Sequence, residues 1–273
     1  MKRLLIEEVF AWTQSFAARE WRLLVPVALA FLALPPLMMD LLVPQSVLDT
    51  LLQAMQSHNP QAASGPMGLV LPVMVAVLVT ATFGGLAITT MALIPGLSVG
   101  EALSLALRRL LTMLGALLVI AAGQLGVLVL LSVIFGVAHL VSAGAQSLLL
   151  GCVMGVSLFV TVRLVSLAPM IVTRRISAFS AIRESWHISR GAFWRILGVI
   201  LVYTVGSLVV MIALNYAIGA MIALAAQAAG MKELGSALIA VFQRGVGALL
   251  ALGLHILIAG IFRQLNDAPI RGI

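Results

Sequence analysis

Hydrophobic positions form six long apolar runs along this chain, separated by connections that hold most of its charged residues. In chain order the runs are Leu23–Leu42, Met67–Ile94, Leu110–Val137, Leu148–Val172, Ile196–Leu224 and Leu238–Ile261. Each reaches or exceeds the roughly 20 residues that a helix needs to cross a hydrocarbon core of about 30 Å. Because lipid accepts only structures that satisfy their own backbone hydrogen bonds, the pattern predicts an all-α, polytopic membrane helix bundle with six transmembrane helices. Residues 1–273 then form a single integral membrane domain.

The connections alternate in their content of Arg and Lys. Thirteen of the sixteen basic residues fall on one side of the predicted membrane and one falls on the other, while Arg163 and Arg244 lie within runs. Basic connections stay in the cytoplasm, so we predict a multi-pass protein of the cell inner (cytoplasmic) membrane with both termini cytoplasmic. The same flank carries all four tryptophans, which favour the membrane interface: Trp12, Trp21, Trp186 and Trp194.

Composition excludes an ordinary soluble domain. Hydrophobic residues make up 62% of the chain and charged residues 9%, against about 45–50% and about 25% in soluble domains. The formal net charge of +7 comes from basic residues at the ends of apolar runs. That position favours anionic lipids of the cytoplasmic leaflet as partners and argues against nucleic acid. A protein partner or a homo-oligomer stays open.

Residues with catalytic or metal-binding chemistry are scattered. The four histidines fall in two outer connections, one cytoplasmic connection and one run, and none of the nine carboxylates is expected deep in a run. No spacing typical of a metal site, a phosphate-binding loop or a nucleophilic serine is present. The sequence therefore predicts no enzyme, no metal and no cofactor.

Two cytoplasmic segments are predicted to be interfacial helices. In the first, four apolar residues follow the four-three-four spacing of one helical face: Leu5, Val9, Trp12 and Phe16. In the second, Ser98 and Glu101 form a capping-box pattern at the start of EALSLALRRL. The alternative is that both segments are only the ends of the adjoining membrane spans.

The third cytoplasmic segment, residues 176–198, reads ISAFSAIRESWHISRGAFWRILG and predicts a short helix that leads into the fifth span. Its candidate interfacial motif comprises Ser185, Trp186, Arg190, Gly191, Trp194 and Arg195. This run resembles the signature of the glycerophosphodiester phosphodiesterase membrane-domain family. Three further pieces agree in order: the SVGEALSLALRRLL segment, the Ala168–Pro169 step after Arg163, and IFRQL near the C-terminus.

The resemblance implies a stand-alone six-helix membrane domain, because the 273 residues leave no room for the catalytic barrel that follows this domain in some family members. The phosphodiesterase chemistry is therefore not carried over. Weak similarities between the cytoplasmic segments also suggest a threefold repeat over residues 1–94, 95–172 and 173–264. Convergence on a common interfacial composition is the alternative explanation.

Two arginines lie inside apolar runs. Arg163 is predicted about 12–16 Å from the cytoplasmic end of the fourth span, where a charge costs about 2.5–3.5 kcal/mol. Because no carboxylate is expected in a span, its partner is a carbonyl, a hydroxyl, water or an external phosphate, with Gln124, Tyr203 and Ser166 as neutral candidates. Arg163 then either contacts an anion or ties helices together. Arg244 is expected to reach the outer headgroups.

Three function classes remain. The first is an integral inner-membrane protein that binds or transports an anionic lipid or a glycerophosphodiester, with Arg163, Gln124, Tyr203 and Arg244 as candidate binding residues. The second is a permease-like subunit in which Ile176–Arg190 couples to a cytoplasmic ATPase, although the expected E-A-A-x-x-x-G run is absent. The third is a non-catalytic membrane scaffold.

Overall fold

The computed structural model describes residues 5–57, 60–139, 145–174 and 176–266, and within these ranges the chain is almost wholly helical, with no strand. Six segments are long and apolar enough to cross a membrane: Ile6–Leu42, Val70–Leu93, Val99–Phe135, Leu148–Thr173, Phe193–Ala228 and Glu233–Leu265. These findings confirm the predicted all-α membrane bundle. Among the basic residues used to predict orientation, Lys2, Arg3, Arg175 and Arg271 lie outside the described ranges.

Eleven α-helices and two π-helical turns, Leu29–Ala33 and Asn215–Gly219, build the described part of the chain. The helices are α1 (Ile6–Ala28), α2 (Leu34–Leu42), α3 (Gln45–Gln56), α4 (Pro60–Leu93), α5 (Val99–His139), α6 (Ala145–Arg163), α7 (Leu167–Thr173), α8 (Ala178–Ile188), α9 (Phe193–Leu214), α10 (Ala220–Ala228) and α11 (Lys232–Leu265). Thus the first span combines α1 and α2, the fourth α6 and α7, and the fifth α9 and α10.

The first predicted interfacial helix is continuous with the first span. Val9 and Phe16 are buried, and Trp12 packs so closely on α11 that a Cβ at Gly260 would lie 2.9 Å from its ring. The apolar face of this segment therefore contacts a neighbouring helix. The spacing that suits a membrane surface suits a groove between helices equally well. The alternative that the segment extends a span is correct here.

The second predicted interfacial helix is likewise the beginning of a longer one. Its capping box is present, since the backbone N–H of Ser98 donates to Glu101 Oε2 at 2.8 Å and the N–H of Glu101 donates to Ser98 Oγ at 3.3 Å. The helix that begins here, α5, continues for 41 residues into the third span. Among the described residues, α8 is the one separate helix between spans on the side of the bundle where most arginines lie.

The largest hydrophobic core lies at one end of the bundle, which we call the basic end because Arg108, Arg174 and Arg263 lie there. Buried residues of α1, α4, α5, α7 and α11 meet in this core. Every residue from 84 to 93 of α4 is buried. A Cβ at Gly85 would lie 2.6 Å from the His255 ring, so a residue without a side chain allows α4 and α11 to approach closely.

The opposite half of the bundle is more open. Leu150 and Met154 of α6 are 63% and 65% exposed, and Val202 and Leu208 of α9 are 59% and 57% exposed. The rings that join α6 to α9 lie at the basic end, where Phe159 contacts Phe193. The helices are therefore held together mainly at the basic end, and apolar surface faces outward elsewhere.

Candidate functional site

The fourth span is interrupted at Arg163, where α6 ends. Residues 164–166 form a turn before α7 begins. The carbonyl of Arg163 accepts hydrogen bonds from Ser185 Oγ at 3.2 Å and from Ser189 Oγ at 3.0 Å. Since the last carbonyls of a helix have no partner within it, these two hydroxyls both satisfy the end of α6 and fix α8 against it.

This interruption gives Arg163 a position at the end of a helix. A helix of 19 residues, the length of α6, spans about 28 Å, which nearly equals the hydrocarbon core of about 30 Å. Arg163 also lies level with the first turn of α9, since its Cζ is 5.8 Å from the Phe193 ring centroid. Arg163 is therefore the last residue of a helix, and α7, which completes the apolar run, packs inside the protein.

Three aromatic rings surround the guanidinium of Arg163 and form what we call the Arg163 box. Its Cζ lies 5.3 Å from the ring centroid of Phe159, 5.4 Å from that of Trp186 and 5.8 Å from that of Phe193. The rings also contact one another, with Phe159 at 5.6 Å from Trp186 and 5.2 Å from Phe193. Such contacts stabilise a cation by about 0.5–2 kcal/mol each, depending on desolvation.

The Arg163 box leaves hydrogen-bond donors without acceptors. Nε and Nη1 of Arg163 are buried and have no hydrogen-bond partner, and neither has the buried Oγ of Ser166. An aromatic face balances positive charge but accepts N–H hydrogen bonds only weakly. A buried donor without a partner costs about 1–3 kcal/mol, and more when it is charged. The box therefore closes two charged donors off from solvent, with no acceptor among the described residues.

The predicted neutral partners are not assembled around Arg163. Tyr203 donates its hydroxyl proton to the carbonyl of Leu250 at 2.6 Å, which ties α9 to α11. In the described part of the chain no hydrogen bond joins Arg163 to Gln124, Tyr203 or Ser166. The interaction partners of Arg163 among the described residues are aromatic rings and not the predicted polar groups.

The exposed face of α8 carries a second group of residues, which we call the α8 stripe. Phe179, Arg183, His187 and Arg190 follow one another at intervals of four, four and three residues and are all exposed. They line a shallow cavity of about 650 Å³ together with Trp186. Trp186 thus belongs both to this cavity and to the Arg163 box.

Positive charge dominates the α8 stripe. The single carboxylate of α8, Glu184, forms a salt bridge with Arg174. Within the described residues, neither Arg183 nor Arg190 forms a salt bridge. The stripe therefore offers two guanidinium groups and an imidazole next to aromatic rings, which suits the level of anionic lipid headgroups.

The remaining motif residues form the elbow between α8 and α9. Gly191 has a φ of 83°, a left-handed conformation that glycine adopts without strain. After the turn, Trp194 is 79% exposed and Arg195 is also exposed. Both side chains therefore lie on the outer surface of the bundle.

Arg244 occupies a different site, far along the chain from the Arg163 box. Its Nε and Nη2 donate to Asp40 Oδ2 and Oδ1, each at 2.7 Å. Beside it, Gln243 Nε2 donates to Asn215 Oδ1 at 2.9 Å. The expectation that no span holds a carboxylate was wrong, because Asp40 lies within the first predicted span. Arg244 therefore has an internal partner and is not a free contact for headgroups.

A family model described as "Domain of unknown function (DUF7847)" matches residues 22–265. The chain belongs to the DUF7847 family. The match includes the Arg163 box, the α8 stripe and the Asp40–Arg244 pair, so all three lie in the DUF7847 domain. No curated protein and no solved structure matches the chain.

Three residues of the DUF7847 domain were missed as site residues by sequence reasoning: Phe159, Ser189 and Phe193. Phe159 is one helical turn before Arg163, and Ser189 is one turn after Ser185, so both share a helix face with a predicted residue. Phe193 lies inside the motif itself. Spacing could therefore have indicated Phe159 and Ser189. The contact among α6, α8 and α9 depends on tertiary packing, which spacing does not reveal.

Proposed function

We propose that this protein binds the headgroup of an anionic lipid at its basic end, with Arg163 as the central charge. The observation that carries the proposal is the guanidinium of Arg163, whose Nε and Nη1 are buried without hydrogen-bond partners. A phosphate can accept two parallel hydrogen bonds from a guanidinium. A phosphodiester would satisfy both donors once a ring of the box moves aside, because neither nitrogen is open to solvent in this structure.

The α8 stripe provides the outer part of this binding surface. Arg183, His187 and Arg190 are exposed beside Trp186, which separates the stripe from Arg163. Each basic residue near an anionic leaflet contributes about 1 kcal/mol of attraction. The stripe would concentrate anionic lipid next to the Arg163 box.

The proposal includes an orientation. The basic end faces the cytoplasm, both termini are cytoplasmic and the membrane is the cell inner membrane, because that arrangement follows the distribution of Arg and Lys. The ligand class covers lipid phosphates and water-soluble glycerophosphodiesters, which share the phosphodiester group. Binding could serve transport of the same ligand, and the protein has no catalytic role in this proposal.

Native mass spectrometry on gently solubilised protein tests the lipid site. We expect the wild type to retain an anionic phospholipid and Arg163→Ala to lose it, at matched thermal stability. Arg263→Ala is the matched control, because Arg263 also stacks on a ring at the basic end, with Cζ 5.5 Å from the Trp12 centroid, but is exposed. Equal lipid retention by all three proteins would mean that Arg163 only holds helices together. It would favour the scaffold function.

A second candidate function is supported by α8 itself. It is a separate amphipathic helix between two spans, which is the position of a coupling helix in a permease-like subunit. Crosslinking from a cysteine introduced at Ser180, followed by purification from native membranes, tests this alternative. Specific capture of a cytoplasmic ATPase would favour the permease subunit, and its absence would leave lipid binding as the better proposal.

A further inference from the structure

The three rings of the Arg163 box are not held equally. Phe159 lies between the other two, with its centroid 5.6 Å from that of Trp186 and 5.2 Å from that of Phe193. Phe193 also contacts the ring of Trp194, at 5.3 Å between centroids. Among the described residues, Trp186 contacts one other ring, that of Phe159. Displacing Trp186 therefore breaks one ring contact, whereas displacing either phenylalanine breaks two.

The backbone on either side of Trp186 is fixed, while its indole is not. Ser185 and Ser189 are buried, and their hydroxyls donate to the carbonyl of Arg163 at 3.2 Å and 3.0 Å. The indole N–H of Trp186 donates no hydrogen bond to another described residue. Opening the box therefore needs only a rotation of the indole about its side-chain torsions, and α8 can stay in place.

Open space adjoins the indole on α8. Trp186 lines the cavity of about 650 Å³ together with Arg183 and Arg190, and neither phenylalanine of the box is among its described lining residues. The two arginines lie three residues before Trp186 and four after it, which is the spacing of neighbours on one helix face. An indole that turns toward this cavity would therefore uncover Arg163 beside two exposed guanidinium groups.

We infer that the indole of Trp186 is the gate of the Arg163 box, which turns aside to admit a phosphodiester that the α8 stripe has collected. This inference rests on the proposed function and names the ring that must move before ligand can reach Arg163. In the closed box Nε and Nη1 are buried, so the apparent affinity equals the intrinsic affinity multiplied by the fraction of molecules that are open. Trp186 therefore controls access, while Arg163 supplies the charge.

Fluorine NMR observes the gate directly. Full-length protein labelled with 5-fluorotryptophan is studied in a maltoside detergent, which carries no phosphate, and Trp186→Phe assigns the Trp186 resonance. We expect this resonance to shift when phosphatidylglycerol is added to the wild type and to stay in place in Arg163→Ala. Trp12 is the internal control, because its ring packs against Gly260 and is not part of the box. Glycerophosphoglycerol tests the water-soluble source, and a shift with either phosphodiester supports the gate.

Removal of the gate should strengthen binding. In native mass spectrometry we expect Trp186→Ala to bind phosphatidylglycerol about tenfold more tightly than the wild type, which is the gain when a box that is open about a tenth of the time becomes permanently accessible. Trp194→Ala is the matched control, because Trp194 contacts Phe193 without contacting the guanidinium of Arg163. It should bind the lipid like the wild type.

The outcomes separate the gate from the headgroup site. Unchanged or weaker binding by Trp186→Ala would overturn the inference, and so would a Trp186 resonance that stays in place while the lipid binds. If Arg163→Ala loses the lipid in either case, the headgroup site stands and only the gate fails. If Arg163→Ala binds like the wild type, both fail. The fluorine experiment keeps the native ring, so it decides even if Trp186→Ala does not fold.

Discussion

Different interactions hold the backbone and the side chain of Arg163. Its carbonyl accepts hydrogen bonds from two serines of α8, and its guanidinium lies among three rings contributed by α6, α8 and α9. The backbone contacts fix where the residue is, while the side chain keeps unpaired donors. This division of roles separates variants that disturb the fold from variants that disturb binding.

Replacing Ser189 should affect stability and spare ligand chemistry. Ser189→Ala removes a hydroxyl that reaches the Arg163 carbonyl at 3.0 Å, and we expect it to lower the free energy of unfolding by about 1 kcal/mol. Thermal unfolding in detergent measures the change. Ser104→Ala, at an exposed position of α5, should leave the midpoint unchanged, and an equal loss in both variants would argue against a specific role of the hydroxyl.

The pair formed by Asp40 and Arg244 should behave as a coupled unit. Both side chains are partly exposed, at 29% and 44%, but they lie within predicted spans, where water screens them less than at a soluble surface. We therefore expect a coupling free energy above the roughly 1 kcal/mol that limits pairs in water. A double-mutant cycle with Asp40→Asn and Arg244→Gln, followed by thermal unfolding, measures it. Strictly additive effects of the two substitutions would show that the pair contributes nothing to stability.

At the scale of elements, the sequence predicted the membrane spans well and their interruptions poorly. Hydropathy locates apolar runs, so all six spans were found, but it cannot detect that α6 ends at Arg163, because apolar residues continue to Val172. The break agrees with Pro169, whose ring would clash with the carbonyl of Val165 in a continuous helix. Ser185 and Ser189, which are far along the chain, then satisfy the carbonyl of Arg163. Likewise, the apolar face of α1 does not reveal whether lipid or α11 covers it.

The elbow between α8 and α9 should depend on the backbone freedom of Gly191. Its φ of 83° costs an L-residue about 1–2 kcal/mol, so Gly191→Ala should lower the unfolding midpoint. Gly198→Ala is the contrasting variant, because that glycine lies within α9 with open space at Cβ. There alanine should stabilise by about 0.5–1 kcal/mol. A similar response of both positions would contradict the assigned roles.

At the scale of the whole molecule, the buried core is concentrated at the basic end and the remainder presents apolar surface. This arrangement agrees with a protein whose outer surface contacts lipid. The six spans could be predicted because a long apolar run has few possible structures other than a membrane helix. The site could be predicted only in part, since Arg163 is conspicuous in a run while its aromatic partners resemble ordinary apolar residues.

Orientation can be measured with cysteines at the two ends of the bundle. In a Cys152→Ser background, Ser180→Cys places a thiol on exposed α8 and Ser236→Cys places one at the start of α11. A membrane-impermeant thiol reagent applied to intact cells stripped of their outer membrane should label Ser236→Cys and reach Ser180→Cys only after permeabilisation. The reverse pattern would invert the predicted topology.

The unbroken length of α5 has a mechanical consequence. At 41 residues it is about 60 Å long, and Ala178 at the start of α8 rests on it, with its Cβ 3.8 Å from a Cβ placed on Gly115. The contact lies about 24 Å from the first residue of α5, so more than half of the helix extends beyond it. Because α5 also packs along α4, α8 is braced against the body of the bundle and can shift only together with it.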